Sequence, residues 1–162
     1  MKNKQNDLIN KTFGHKVRIR ACGVHFLEDR LLLVGHQLSD QKNELFWSFP
    51  GGGVQYGESV EETIIREFKE ETGLTVRIGS FLFVYEYLNP PLHALEIYFS
   101  IEATEGELMA GNDPELPDEQ QLIQEVAYLS DLQIKEKPKH LIHGIFQKIN
   151  HLEDLKTLNG YF

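Results

Sequence analysis

The stretch that decides the fold is Gly51-Gly52-Gly53-Val54-Gln55-Tyr56-Gly57-Glu58-Ser59-Val60-Glu61-Glu62-Thr63-Ile64-Ile65-Arg66-Glu67-Phe68-Lys69-Glu70-Glu71-Thr72-Gly73-Leu74. It reads as a glycine-rich loop, a capped helix and a glycine stop. Ser59 followed by Glu62 spells a capping box, in which each side chain takes the other residue's backbone N–H. Gly73 stands where a helix end favours a left-handed residue. These marks bracket a helix over residues 60–72. At about 100° per residue, Val60, Ile64 and Phe68 form one apolar stripe, widened by Ile65. Glu67, Glu70 and Glu71 form a second stripe beside it, and Arg66 is spaced to pair with Glu62 and Glu70.

Three carboxylates on one turn repel one another. A hard divalent cation removes that repulsion, because Mg²⁺ or Mn²⁺ is held by carboxylate oxygens, water and phosphates. A solvated acidic face explains the same spacing, so charge alone leaves both readings open.

Upstream, Leu45 to Phe49 reads as a short strand stopped by Pro50 and three glycines, which allow a tight turn and close approach to a ligand. Trp47 and Phe49 are candidates for core packing or for stacking a nucleobase. Before a polar loop at 39–44, Val17 to Leu27 alternates as a strand with a face change near Gly23. Leu31 to Gly35 reads as a buried strand, and the two are expected to form a hairpin. Residues 1–14 are compatible with a flexible terminus, a short helix or an edge strand. After the helix, 75–78, 80–88 and 93–103 read as strands, with Asn89-Pro90-Pro91 as a turn. Residues 104–119 form a long acidic loop, and 126–129 another strand. A last helix is expected from Pro138 to about Leu152, with Leu141, Ile142, Ile145, Phe146 and Ile149 on one face. The tail, Leu158 to Phe162, is read as docking or as pairing with another subunit.

The chain has 162 residues and a formal charge of −9. That length suits one domain, 1–162, with residues 1–14 as a flexible or edge element. The acidic balance opposes non-specific binding to nucleic acid or an anionic membrane. Cys22, the lone cysteine, lies in an apolar run and reads as a core thiol. No run is apolar and long enough to span a bilayer, and the start lacks the apolar core of a secretion signal. A cytoplasmic setting is the expectation.

Gly52, five residues, Glu58, seven residues and then Arg66-Glu67-Phe68-Lys69-Glu70-Glu71-Thr72-Gly73-Leu74 together resemble the Nudix box. Phe68 stands at a position that is usually aliphatic. Trp47-Ser48-Phe49-Pro50-Gly51-Gly52 resembles the family's lead-in. A pattern this long is far more specific than a lone glycine motif. The resemblance implies an α/β fold, a Nudix-type α/β/α sandwich with a central mixed β-sheet, close to small MutT-like or ADP-ribose pyrophosphatase-like bacterial proteins. It implies hydrolysis of a nucleoside diphosphate linked to another moiety, with Mg²⁺ (or Mn²⁺) as cofactor.

By the same resemblance, Glu67, Glu70 and Glu71 are metal ligands and catalytic acids. Glu58 and a carbonyl of Gly51 or Gly52 are further metal contacts, and Gly52 borders the substrate. Arg66 and Gly73 are structural. Arg20, which shares a strand face with Arg18, is a candidate for substrate phosphate because its fork suits that geometry. The general base is either Glu67 or an acid of the later loop, among Asp113, Glu115, Asp118 and Glu119, with Glu119 favoured. The expected partners are a small nucleotide substrate and a second copy of the chain as a homodimer, with no membrane and no long nucleic acid. The rivals are a Nudix-like nucleotide sensor, which predicts loss of box acids where none is lost, and a prenyl-diphosphate isomerase, for which Cys22 alone is insufficient. An unrelated acidic interaction module leaves the glycine spacing unexplained.

Overall fold

The structure, a computed structural model, describes residues 4–37, 44–112 and 121–162. Residues 39–43 of the expected polar loop, and Asp113, Glu115, Asp118 and Glu119, lie outside the described residues. Residues 4–13 form a helix, α1 (Lys4–Phe13).

The architecture is α/β with a central mixed sheet. β1 (Val17–Val24) pairs in parallel with β7 (Leu92–Glu105) and antiparallel with β5 (Gly51–Gly53). β7 pairs antiparallel with the long β6 (Thr75–Asn89), on whose far edge lies the short parallel strand β9 (Gly160–Tyr161). A second, antiparallel sheet centres on β3 (Arg30–Gln37), which pairs with β2 (Phe26–Leu27), β4 (Leu45–Ser48) and β8 (Ile123–Leu129). The expected hairpin is therefore corrected. Only Phe26–Leu27 pairs with β3, because the chain leaves one sheet after Val24 and enters the other at β2.

The order of buried side chains explains the layers. Leu31 and Leu33 pack with Phe49, Phe83, Tyr98, Ile134, Ile145 and Leu155, whereas Leu32 packs with Ala21, Ile64, Phe68, Val76 and Ile101. Successive residues of one strand thus enter two different cores, so β3 reads as an unbroken apolar run. α2 (Val60–Thr72) covers one core, and α3 (Asp131–Lys135) with the C-terminal segment covers the other. Phe68 is fully buried, and a Cβ on Gly23 would stand 2.4 Å from its Cε2. Gly23 leaves the space that the ring fills.

The expected final helix is not continuous. Residues 139–141, 144–147 and 152–156 form three separate 3₁₀ turns. Tertiary contacts override the helical spacing here: Ile142 bridges to Trp47, the His143 N–H donates to the Trp47 carbonyl at 2.9 Å, and Gly144 lies under the Tyr85 hydroxyl. The tail docks within its own chain. Phe162 exchanges backbone hydrogen bonds with Val84 and Glu86, and its ring meets Phe83 edge-on.

Candidate active site

α2 begins and ends where its sequence marks it. Ser59 Oγ accepts from the Glu62 N–H at 3.1 Å, and the Glu62 carboxylate accepts from the Ser59 N–H at 2.8 Å. Glu62 is committed to this cap rather than to Arg66. Gly73 adopts φ 74°, and its N–H closes on the Lys69 carbonyl.

The helix presents its acids to the glycine strand. Gly51–Gly53 pair with Arg20–Cys22. A Cβ on Gly51 would stand 2.3 Å from the Ala21 carbonyl oxygen, and one on Gly52 would stand 2.1 Å from Glu67 Oε1. Only glycine lets β1, the loop and the Glu67 carboxylate come this close. Glu71 is 6% exposed, and its Oε2 accepts the Gly51 N–H at 2.9 Å.

Arg66 organises the other acids. Its Nε donates to Glu58 Oε1 at 2.8 Å, and its Nη1 donates to Glu67 Oε1 at 2.7 Å and to Glu70 Oε2 at 3.0 Å. Its Nη2 reaches Glu58 Oε2 at 3.0 Å and the Gly53 carbonyl at 3.3 Å. Glu58 also accepts from Thr63 Oγ1 at 2.7 Å and from the Gln55 N–H. These donors, Arg66 above all, hold its carboxyl down at about 2. Glu67 moves the other way: burial raises its pKa, and the Arg66 contacts only partly offset that.

Glu67, Glu71 and the three glycines line one cavity of about 180 Å³, together with Arg20. Glu58 and Glu70 stand off the cavity and are tied by Arg66 to Glu67, which lines it. Among the described residues, no three acid, histidine or cysteine side chains converge as a ready metal cage. The donor set nevertheless fits a hard divalent cation. It offers carboxylate oxygens and glycine carbonyls, and Glu67 carries a charge that its burial disfavours.

Trp47 and Phe49 do not stand in this cavity. Trp47 is 5% exposed under Lys137, and Phe49 is 1% exposed and stacked on Phe146 at 5.3 Å. The expectation that they stack a base gives way to core packing. On β4 the alternate residues, Phe46 and Ser48, are the ones that line the cavity. Tyr87 and Phe13 are its other aromatic rings outside the histidines.

Sequence reading also missed Glu96, His36 and His143. Glu96 falls on the buried phase of β7 with Ala94 and Tyr98, and an acid in phase with those two was the available signal. His36 Nε2 meets Ser48 Oγ at 3.1 Å. Burial, reinforced by Arg20, lowers its pKa to about 4, so the ring is neutral near neutral pH.

The model of the NUDIX domain matches residues 16–144. The chain belongs to the Nudix hydrolase family, and within it the chain is MutT-like. It is 38% identical over 115 residues to an ADP-ribose pyrophosphatase of Methanocaldococcus jannaschii, an alignment covering 68% of this chain and 65% of that protein. It is 30% identical over 87 residues to an 8-oxo-dGTP diphosphatase of Escherichia coli, covering 54% of this chain and 67% of the relative. The match thus spans about two thirds of each relative's length. Its fold matches the crystal structure of a MutT NUDIX hydrolase from Burkholderia pseudomallei with a TM-score of 0.66 at 18% identity, covering 89% of this chain and 99% of that one. Nudix hydrolases as a group use divalent metals. No helix among the described residues is long and apolar enough to cross a membrane.

Proposed function

We propose that the chain is a Mg²⁺-dependent pyrophosphohydrolase, with Mn²⁺ as the alternative ion. It cleaves the phosphoanhydride of a nucleoside diphosphate linked to a second moiety. The products are a nucleoside monophosphate and the phosphorylated moiety. ADP-ribose, a sugar nucleotide or a (deoxy)nucleoside triphosphate is the substrate class, in line with the names of the two relatives above. One observation carries the reading: the acidic face of α2 presses Glu67 and Glu71 onto the Gly51-Gly52 backbone in the cavity that Arg20 also lines.

Glu67, Glu70 and Glu71, with the Gly51 carbonyl and Glu58 in support, would hold the ion. When bound, the ion supplies charge neutralisation on the diphosphate and a more acidic water. Arg66 holds Glu58, Glu67 and Glu70 in one hydrogen-bonded set and keeps their oxygens from springing apart. Arg20 offers its guanidinium to a substrate phosphate oxygen. Water attacks phosphorus, the anhydride P–O bond breaks, and the bridging oxygen leaves with the departing phosphate. The water's proton goes to Glu67, whose burial-raised pKa suits a base, or to Glu119. The proposed setting is a cytoplasmic homodimer, supported by the free, buried Cys22 and by Val17 and Ile19 standing exposed on β1.

The test is a screen of nucleoside diphosphate derivatives with Mg²⁺ and with Mn²⁺, with products identified by mass. One class is expected to yield a nucleoside monophosphate in a metal-dependent way. Binding of these nucleotides without cleavage of any would replace this reading with that of a nucleotide sensor.

A further inference from the structure

The cavity wall made by β1 and β7 contains a buried ionic chain in which the proposed reaction uses Arg20 but gives no role to Glu96 or His143 behind it. Glu96 is 5% exposed. Its Oε2 accepts from the Tyr98 hydroxyl at 3.0 Å and lies 2.7 Å from His143 Nε2. His143 Nδ1 accepts the Ile145 N–H at 3.2 Å, which leaves Nε2 as the nitrogen that donates to Glu96. Glu96 Oε1 stands 3.5 Å from Arg20 Nε, and Arg20 Nη2 donates to the Gly51 carbonyl at 3.0 Å. The Gly51 N–H in turn donates to Glu71 at 2.9 Å. The peptide segment at Gly51 is thus gripped by a carboxylate at its N–H and by a guanidinium at its carbonyl.

Stability is a poor reason for this arrangement. Removing an acid and a guanidinium from water costs about as much as their attraction returns, so apolar residues serve a core as well or better. The contact between them is also not a hydrogen bond. Among the described residues Arg20 Nε has no hydrogen-bond partner, and 3.5 Å is a long separation for one. Glu96 therefore acts on Arg20 mainly through its charge. Burial opposes that charge, but His143, Arg20 and Tyr98 outweigh burial and hold the carboxyl at about 2.

An uncompensated guanidinium on the Gly51 carbonyl would repel a dication brought to Glu67 and Glu71. We propose that Glu96 is a positioning residue for the cation site: its charge cancels that of Arg20, so Arg20 can fix the Gly51 carbonyl without expelling the ion. The inference rests on the metal reading above.

Mn²⁺ binding to the full chain without nucleotide, followed by electron paramagnetic resonance, tests it. Glu96→Gln is expected to weaken Mn²⁺ by about tenfold, as loss of a supporting charge behind a ligand set does. Arg20→Gln together with Glu96→Gln leaves no unbalanced charge and is expected to restore binding to within about threefold of the parent. Arg20→Gln alone is expected to tighten Mn²⁺ by about threefold while lowering kcat/KM, because it removes the repelling charge and the phosphate contact together. Glu102→Gln, which breaks the exposed pair with Arg77, is the control and should leave Mn²⁺ binding unchanged. Parent-like binding by Glu96→Gln, or a double variant no better than Glu96→Gln, would overturn the proposal. Should Glu96→Gln fail to fold, weaker Mn²⁺ binding by Arg20→Gln decides against it. Failure of the parent itself to bind Mn²⁺ would instead remove the metal reading.

Discussion

The two sides of the sheet are covered by segments that look alike in sequence and fold differently. α2 and residues 138–152 both carry apolar residues at helical spacing. α2 forms thirteen helical residues between a capping box and a left-handed glycine. The C-terminal segment breaks into short 3₁₀ turns. The difference lies in where the hydrogen bonds go. In α2 the cap, the stop and the apolar stripe all agree within one stretch. In the C-terminal segment, Ile142 and His143 bond to β4, and His143 turns inward to Glu96. A locally consistent segment keeps its own structure, whereas one with strong distant partners surrenders it.

The chemistry divides along the same line. In the proposed reaction α2 carries the acids read as metal ligands, and the described residues of the C-terminal side supply support. Glu70→Gln and Glu71→Gln should therefore show the largest effect. Each is expected to lower metal-dependent turnover by about a thousandfold, the scale of losing one preorganised charge contact at a reacting centre. Urea midpoints should move little, because a glutamine oxygen at 71 still accepts the Gly51 N–H and one at 70 still accepts from Arg66. Full activity in both would break the division and the metal assignment with it.

Packing should show no such asymmetry. Phe68 anchors α2 over Gly23, and Ile145 anchors the C-terminal segment; both are fully buried. Phe68→Ala is expected to cost about 3–5 kcal/mol and Ile145→Ala about 2–5 kcal/mol in urea unfolding. A cost below about 1 kcal/mol at Ile145 would mean that the irregular segment is draped over the core rather than part of it.

These contrasts explain what the sequence disclosed. The helix at 60–72, its cap, its glycine stop and the acids on its face are properties of one continuous stretch, and all were legible. So was the buried run of β3. Residues of the site that depend on register were not. Trp47, and Phe49 just past the end of β4, differ from Phe46 and Ser48 by alternation along the chain, and a one-residue change of phase exchanges core for cavity. Glu96 and His143 are 47 positions apart, and nothing local to either announces the other.

That long-range pair gives a pH signature. Glu96 is held at about 2 against an ordinary 4.5, burial opposing and His143, Arg20 and Tyr98 prevailing; Cys22 also lies within its field. A depressed acid contributes stability that is fully present above its ordinary pKa and is lost as pH falls toward the folded value. The parent chain should therefore lose stability relative to Glu96→Gln as pH falls from about 4.5 toward about 2, and the difference should be flat above about pH 6. Urea unfolding across that range reads it directly. A constant difference at every pH would mean that the fold leaves the Glu96 pKa at its unfolded value, and a parent that loses ground as pH rises would mean that Glu96 is held neutral in the fold.

The smallest expected effect sharpens the contrast between the two sides. Ser59 caps α2 and Ser130 caps α3, and the two caps are alike: both have φ −75° and ψ 163°, and each makes a reciprocal box, with Glu62 and Gln133 respectively. As isolated devices they should be worth the same. Ser59→Ala is expected to cost about 1 kcal/mol, and Ser130→Ala about half that because α3 offers a shorter helix to stabilise. Only Ser59→Ala should also slow turnover, by a few-fold. Its loss loosens the first turn, from which Thr63 holds Glu58, and Glu58 in turn holds Arg66 against Glu67 and Glu70. Equal kinetic effects from both serines would show that the caps act on the whole fold. An effect confined to Ser59 would show that the rigidity of α2 is transmitted to its acids through Glu58 and Arg66.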